Sequence, residues 1–159
     1  MKSITTLVQD IYNLFNLDPI DKDEKEVDDL IDRCGDMIKV HIKEFLYSKP
    51  RDMNNLRLSG IGKPDRQLWY DINTKTEEEK LTPSTRIKFL YGYILEELLL
   101  LFASVAGHKV EEQQKEVVLE GVTGHQDAII DGVLVDCKSA SGRGFIKFKN
   151  HNLINDDPF

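Results

Sequence analysis

Cysteine is scarce in this sequence, and the scarcity excludes several kinds of site. The chain of 159 residues holds only two cysteines, Cys34 and Cys137. They lie too far apart for a metal-binding or redox motif, and an iron–sulfur cluster needs more thiolates than two. A chain with so few thiols is typical of the reducing cytoplasm, and we expect a cytoplasmic location.

The sequence also lacks a long uninterrupted apolar run. The longest one, at 94–106, is broken by Glu96 and Glu97 and is too short to span a bilayer. The first residues, Met-Lys-Ser-Ile-Thr-Thr, lack the continuous apolar region of a secretory signal. We therefore expect no signal peptide and no membrane partner.

Positive charge is in the minority. The 21 lysines and arginines against 28 acidic residues give a net charge of −7, which argues against a simple nucleic-acid-binding protein. The charge is unevenly distributed, however: acids crowd the stretch 18–36, whereas 137–155 contains none. The basic residues of the second stretch are Lys138, Arg143, Lys147, Lys149 and His151. This cluster favours either a local phosphate-binding patch or an ordinary solvated surface.

Length and hydrophobic periodicity predict one compact unit that begins with helices. A helical stripe covers 2–17, and a second helix opens at the acidic capping box Asp21–Glu24 and runs to about residue 48. We predict an N-terminal helical arm over 1–50 and a core over 51–159. Cys34 and His41 lie in or beside the apolar stripe of the second helix, and we predict structural roles for both.

The longest predicted helix begins at Thr82, as the N-cap before Pro83, and stops at Gly107. Its centre is apolar nearly all round and is predicted to be buried. Glu96 is a candidate partner for a metal or a lysine, with an ordinary surface acid as the alternative, and Glu97 is predicted to be exposed. A strand over 108–120 follows, and a further helix is expected from residue 145, so the fold class is α+β.

A β-rich stretch near the end of the chain predicts a hairpin with chemistry at its open end. Asp131-Gly132 lies between two apolar runs, which is the strongest short-range signal for a two-residue turn. The register of such a turn places Asp127 opposite Asp136, and side-chain alternation puts Lys138 on the same face.

Two facing carboxylates in a largely apolar hairpin repel and need a shared proton or a cation. Mg²⁺ or Mn²⁺ would fit, because both prefer oxygen ligands and keep water for a substrate phosphate. Cys137 directs its side chain to the other face, but its backbone carbonyl is a possible further ligand. Lys138 would stabilise negative charge or orient the attacking water. The alternative is a pair of strand-end aspartates in water with the lysine paired to them.

The same residues resemble a known catalytic signature. Gly-His-x-Asp at 124–127, followed by Asp-x-Lys at 136–138, resembles the motif of the PD-(D/E)XK nuclease superfamily, in its RecB-like exonuclease branch. The Phe-x-x-Gly-x-x-x-Glu pattern of that branch is matched from Phe89 to Glu96. The resemblance spans 56–149 and implies an α/β restriction-endonuclease-like core: a long helix, three antiparallel strands with a catalytic hairpin, and a second helix. It implies a Mg²⁺-dependent deoxyribonuclease, an exonuclease of phage or recombination type, acting in the host cytoplasm if viral.

Roles follow from this resemblance and from the hairpin register. The expected catalytic residues are Glu96, Asp127, Asp136 and Lys138, with the three acids and the Cys137 carbonyl around the metal. The expected DNA contacts are His125, which the register places near Lys138, together with Ser139, Ser141, Arg143, Lys147 and Arg66.

Arg66 belongs to a segment that resembles the one carrying a cluster-binding cysteine in RecB-like nucleases. Lys63-Pro64-Asp65 stand where that cysteine would be, so no iron–sulfur cluster is expected. Arg66 could reach a phosphate while Trp69 or Tyr70 stacks on a base. The alternative, which we favour, puts Trp69 in the core and pairs Arg66 with an acid.

One departure from the family pattern matters. The Gln-x-x-x-Tyr motif of the second helix has no counterpart after Phe145. The sequence therefore resembles either the first part of a longer nuclease or a reduced relative that completes its sheet in a homo-oligomer. The alternative function is a non-catalytic nucleic-acid-binding or assembly subunit that keeps the fold. A third is a metal-dependent phosphodiesterase that does not act on polymers.

Overall fold

The computed structural model describes residues 2–16, 22–47, 56–74 and 82–149, without the side chains of Asp71, Arg143, Lys147 and Phe148. Asp21 and His151, both part of the sequence-based predictions, lie outside these residues. The helices of the described chain are α1 Leu7–Leu14, α2 Glu24–Tyr47, α3 Asp65–Asn73, α4 Pro83–Val105 and α5 Gly142–Lys149. The strands are β1 Val110–Glu111, β2 Glu116–Leu119, β3 Val122–His125, β4 Ala128–Ile130 and β5 Val133–Val135. The chain is an α+β protein, as predicted.

The chain divides into two compact units that alternate along the sequence. The first unit comprises Met1–Pro50, Lys80–Lys115 and His125–Cys137. The second comprises Arg51–Glu79, Glu116–Gly124 and Lys138–Phe159. The N-terminal helices therefore belong to the same unit as α4 and the hairpin.

Helix α4 is the centre of the first unit. It begins and ends as predicted: the Thr82 hydroxyl accepts a hydrogen bond from the backbone of Thr85 at 3.2 Å, and Gly107 follows the helix with φ +88°. Both α1 and α2 pack against it. The buried core consists of Leu100, Ala103, Ala128 and Ile130, with Ile4, Leu7, Val110, Val135 and Cys137 packed around it. The sheet of this unit therefore covers the last turns of α4.

The packing of α2 on α4 corrects one prediction. Glu97 was expected to be exposed, but only 2% of it is accessible, less than for Glu96. Its Oε1 lies 3.1 Å from Nε2 of His41, whose ring stacks on Tyr93. Cys34 donates from Sγ to the backbone oxygen of Glu97 at 3.7 Å. The prediction for Glu97 was wrong because α2 supplies a buried histidine partner that helical periodicity alone does not reveal.

The first unit contains a three-stranded antiparallel sheet in the order β1-β4-β5. The hairpin register is confirmed, with Ala128 opposite Val135 and Ile130 opposite Val133. Asp131 and Gly132 both have positive φ, +51° and +82°, as a tight hairpin turn of the primed type requires.

The predicted single strand over 108–120 was wrong. It divides into β1 and β2, which lie in different sheets, because Glu112 and Gln114 adopt positive φ in the connection between them. Strand β2 pairs with β3 across Glu120-Gly121, a second turn with positive φ at both residues.

In the second unit, Arg57 forms a parallel bridge with Thr123, and Leu58 packs closely on Gly124. Helix α5 begins at Gly142, three positions before the predicted start. No described helix has the length and apolar character needed to cross a membrane.

Candidate active site

Glu96 is a buried carboxylic acid on α4, with 8% of its surface accessible. Its Oε1 accepts a hydrogen bond from Nε2 of Gln114 at 2.5 Å. Burial raises the pKa of Glu96 to about 7, and the negative charges of Asp127 and Glu97 add to this effect. The hydrogen bond from Gln114 and the charge of His41 oppose the rise. Glu96 therefore exchanges its proton close to neutral pH.

Asp127 is fixed on both sides by backbone hydrogen bonds. Its Oδ2 accepts from the N–H of Cys137 at 2.6 Å, and its backbone oxygen accepts from the N–H of Gln114 at 3.0 Å. Asp127 directly precedes β4 and Cys137 lies two residues beyond β5. The carboxylate therefore spans the open end of the hairpin, and its charge interacts with Glu96.

Gln114 joins the two acids, and the sequence-based predictions did not include it. Its side chain bonds Glu96 while its backbone bonds Asp127. Gln126 also holds the segment between β1 and β2. Its backbone N–H donates to the backbone oxygen of Lys115, and its side chain donates to the backbone oxygen of Glu112. The Gln113-Gln114 pair between two β-rich runs could have indicated a turn. Its partners could not have been found, because they are distant in the sequence.

Asp136 and Cys137 follow β5 at the end of the hairpin. Asp136 is exposed, and regular pairing ends one residue earlier, at Val135 opposite Ala128. The side chain of Cys137 packs against the core, which is the face predicted for it. The backbone N–H of Cys137 serves Asp127, whereas a role for its carbonyl stays a prediction.

Among the described residues, no group of three or more His, Cys, Asp and Glu side chains is arranged to hold a metal ion. The structure brings Glu96 and Asp127 into electrostatic contact. Two carboxylates in a partly desolvated site repel unless one is protonated or a cation lies between them. Carboxylate oxygens are the type of ligand that Mg²⁺ and Mn²⁺ prefer, and the binding of such an ion by this pair stays a prediction.

The predicted DNA contacts come from both units of the chain. His125 is exposed at the end of β3, so the hairpin register, which ends at Ala128, does not extend to it. A position of His125 near Lys138 stays a prediction. The hydroxyl of Ser141 accepts from the N–H of Gly144 at 3.2 Å in the first turn of α5, and its contact with a phosphate stays a prediction.

The other predicted contacts lie in the second unit. Lys138 and Ser139 are exposed residues between β5 and α5. The side chains of Arg143 and Lys147 lie outside the described atoms. Arg66 is exposed on α3.

A second polar cluster, also not predicted, secures the hairpin turn. Nδ1 of the buried His108 lies 2.6 Å from Oδ2 of Asp131, and its Nε2 lies 3.1 Å from Oδ2 of Asp10. Asp131 also accepts from the N–H of Lys109 at 3.0 Å. The hydrogen bond with His108 lowers the pKa of Asp131. Because the His108 side chain has no accessible surface, its role is to position the turn.

The chain matches no protein-family model, no curated protein and no solved structure.

Proposed function

We propose that this chain is a metal-dependent deoxyribonuclease with a restriction-endonuclease-like core, which hydrolyses phosphodiester bonds as an exonuclease. The observation that supports it best is the buried Glu96 carboxyl, whose pKa is raised to about 7 beside Asp127. A buried acid of this kind is more typical of a functional site than of a surface. The Asp-x-Lys sequence that follows the hairpin adds the cation a phosphate would need.

In this proposal Glu96, Asp127 and Asp136 hold Mg²⁺ or Mn²⁺. Such an ion would neutralise phosphate charge and lower the pKa of a bound water. The chain's own contribution is positioning: Cys137 and Gln114 fix Asp127 through backbone hydrogen bonds, and Gln114 orients Glu96. A carboxylate held in this way needs little rearrangement to bind a cation. Lys138 would stabilise the negative charge that develops on the phosphate or orient the attacking water.

The test is degradation of end-labelled linear single- and double-stranded DNA with Mg²⁺, with Mn²⁺ and with EDTA. We expect cleavage that needs the metal and that falls about 100-fold or more in Lys138→Ala and in Asp127→Asn. Lys109→Ala is the matched control, because Lys109 is an exposed lysine directly before β1. Its Nζ lies 2.7 Å from Oε1 of Glu111. Cleavage that survives EDTA or Lys138→Ala would overturn the assignment.

The products distinguish exonuclease from endonuclease action, because an exonuclease releases mononucleotides or short oligonucleotides from an end. Binding of DNA without any cleavage, under all metal conditions, would instead support the non-catalytic binding or assembly subunit.

A further inference from the structure

Helix α3 of the second unit presents large aromatic side chains to solvent. Leu68 and Ile72, four positions apart, are its half-buried residues, and Leu68 packs on Gly60. On the other side, 58% of Trp69 and 47% of Tyr70 are accessible. The favoured expectation that Trp69 is a core residue was therefore wrong. Leu68 and Ile72 occupy the inner face, which leaves Trp69 on the outer one.

The exposed residues form a stripe at helical spacing, which we call the α3 stripe: Arg66, Trp69, Tyr70 and Asn73. The rings of Trp69 and Tyr70 meet edge to face, with centroids 5.2 Å apart and planes at 85°. The guanidinium carbon of Arg66 lies 5.8 Å from the centroid of Tyr70. Nδ2 of Asn73 donates to the backbone oxygen of Trp69 at 2.9 Å and holds the last turn. The aromatic residues therefore stand on an ordered helix.

The composition of the α3 stripe favours an occupant that is both anionic and flat. An edge-to-face pair leaves ring faces uncovered by the partner ring, and base stacking on such faces contributes about 1–3 kcal/mol per base. The stripe carries one guanidinium, in a chain whose net charge is −7, and the exposed Asp65 lies beside it, four positions before Trp69. Arginine beside aromatic rings is the combination that binds phosphate and base together.

We propose that the α3 stripe binds single-stranded DNA, with Trp69 and Tyr70 stacking on unpaired bases and Arg66 contacting a phosphate. Duplex DNA is excluded as the occupant because its base faces are covered by their neighbours. The inference rests on the proposed function and deepens it, by naming unpaired DNA as the class of strand that the protein engages.

The test uses the fact that Trp69 is the only tryptophan of the chain. Oligothymidylate is titrated into the full chain in EDTA, so that no cleavage can occur, and the tryptophan fluorescence is followed. We expect saturable quenching by the single strand and much weaker quenching by a duplex of the same length. Fluorescence anisotropy of a labelled oligonucleotide then measures the affinity of the variants.

In the anisotropy experiment, Trp69→Ala and Arg66→Ala should each weaken binding by about 5- to 150-fold, the range that corresponds to 1–3 kcal/mol. Tyr91→Ala is the matched control, because Tyr91 is an exposed aromatic residue on α4 of the other unit, and it should bind like the wild type. Circular dichroism checks that each variant is folded, which we expect because the three side chains are exposed.

Unchanged fluorescence at high oligonucleotide concentration, or wild-type affinity in Trp69→Ala, would overturn this proposal. Concentration-dependent self-association that is lost in Trp69→Ala, without quenching by DNA, would also overturn it and would assign the surface to a protein partner. The nuclease proposal is judged separately: metal-dependent cleavage that persists in Trp69→Ala leaves the nuclease intact, whereas quenching without any cleavage leaves the α3 stripe intact.

Discussion

Gln114 donates a hydrogen bond from its side-chain amide to Glu96, 2.5 Å away, and its own backbone donates to Asp127. One residue of a turn thereby holds a carboxyl from α4 near the carboxyl at the open end of the hairpin. Gln114 has a φ of +51°, which is unfavourable for a residue with a side chain. The two hydrogen bonds must therefore offset the conformational free energy of this backbone geometry.

The first prediction concerns Gln114→Ala. The hydrogen bond from Gln114 lowers the pKa of Glu96 from what burial and Asp127 alone would give. Its removal should therefore move the pKa of Glu96 above about 7, while the backbone bond to Asp127 is retained. Carbon NMR of labelled glutamate carboxyls, followed over a series of pH values, measures the midpoint of the Glu96 titration. Gln113→Ala, an exposed neighbour, should leave it unchanged, and a lowered midpoint in Gln114→Ala would contradict the assignment.

A second prediction follows from the raised pKa of Glu96, which burial and the nearby Asp127 shift from 4.5 to about 7. The folded state holds this proton more tightly than the unfolded state, so the free energy of unfolding should fall as pH rises from about 4.5 to about 7. The difference between the two pKa values corresponds to roughly 3 kcal/mol. Glu96→Gln keeps the shape and removes the titration, so it should lack this loss.

Urea denaturation at a series of pH values in EDTA measures both profiles. Parallel profiles for the wild type and Glu96→Gln would contradict the prediction. Adding Mg²⁺ above pH 7 should restore stability to the wild type and not to the variant, if the cation binds as proposed.

The third prediction compares two glutamates that face the same histidine. Glu97 is buried with His41 at 3.1 Å, whereas the exposed Glu44 lies 3.9 Å from the other ring nitrogen. Removing one partner of a buried pair leaves the other uncompensated, and Glu97→Ala should destabilise the fold by about 3–5 kcal/mol. Glu44→Ala should cost about 1 kcal/mol or less. Chemical denaturation gives both values, and equal losses would show that the buried pair has no special role.

The fourth prediction concerns two glycines with opposite surroundings. A Cβ on Gly124 would lie 2.7 Å from Cβ of Leu58, so Gly124→Ala should destabilise by about 1–3 kcal/mol. A Cβ on Gly35, within α2, would meet nothing within 4 Å. Gly35→Ala should stabilise by up to about 1 kcal/mol, because alanine is the better helix former. Melting temperatures should shift in opposite directions; a shift of the same sign for both would contradict the packing at Gly124.

The elements that the sequence predicted well depend on local rules. The caps of α4 at Thr82 and Gly107, and the turn at Asp131-Gly132, each follow from a few neighbouring residues. The register of the hairpin is then fixed by counting outward from the turn. The roles of Glu96, Asp127, Asp136 and Lys138 stay predictions.

The features that were missed depend on partners distant in the sequence. Glu97 is buried because α2 brings His41 to it, and Gln114 meets two acids that come from separate elements. Trp69 was expected in the core, whereas Leu68 takes the inner position on α3. Periodicity finds the faces of an element but does not identify what packs on each face.

His108 connects Asp131 with Asp10, and Asp10 lies 98 positions before His108 in the sequence. Closing so long a loop carries a large entropic penalty, whereas the two-residue turn of the hairpin brings its strands together at a much smaller entropic cost. We therefore expect α4 and the hairpin to assemble early in folding and α1 to dock on them afterwards. In native-state hydrogen exchange, the amides of α1 should accordingly exchange before those of α4. The helix that docks last in folding is then also the first to detach from the folded protein.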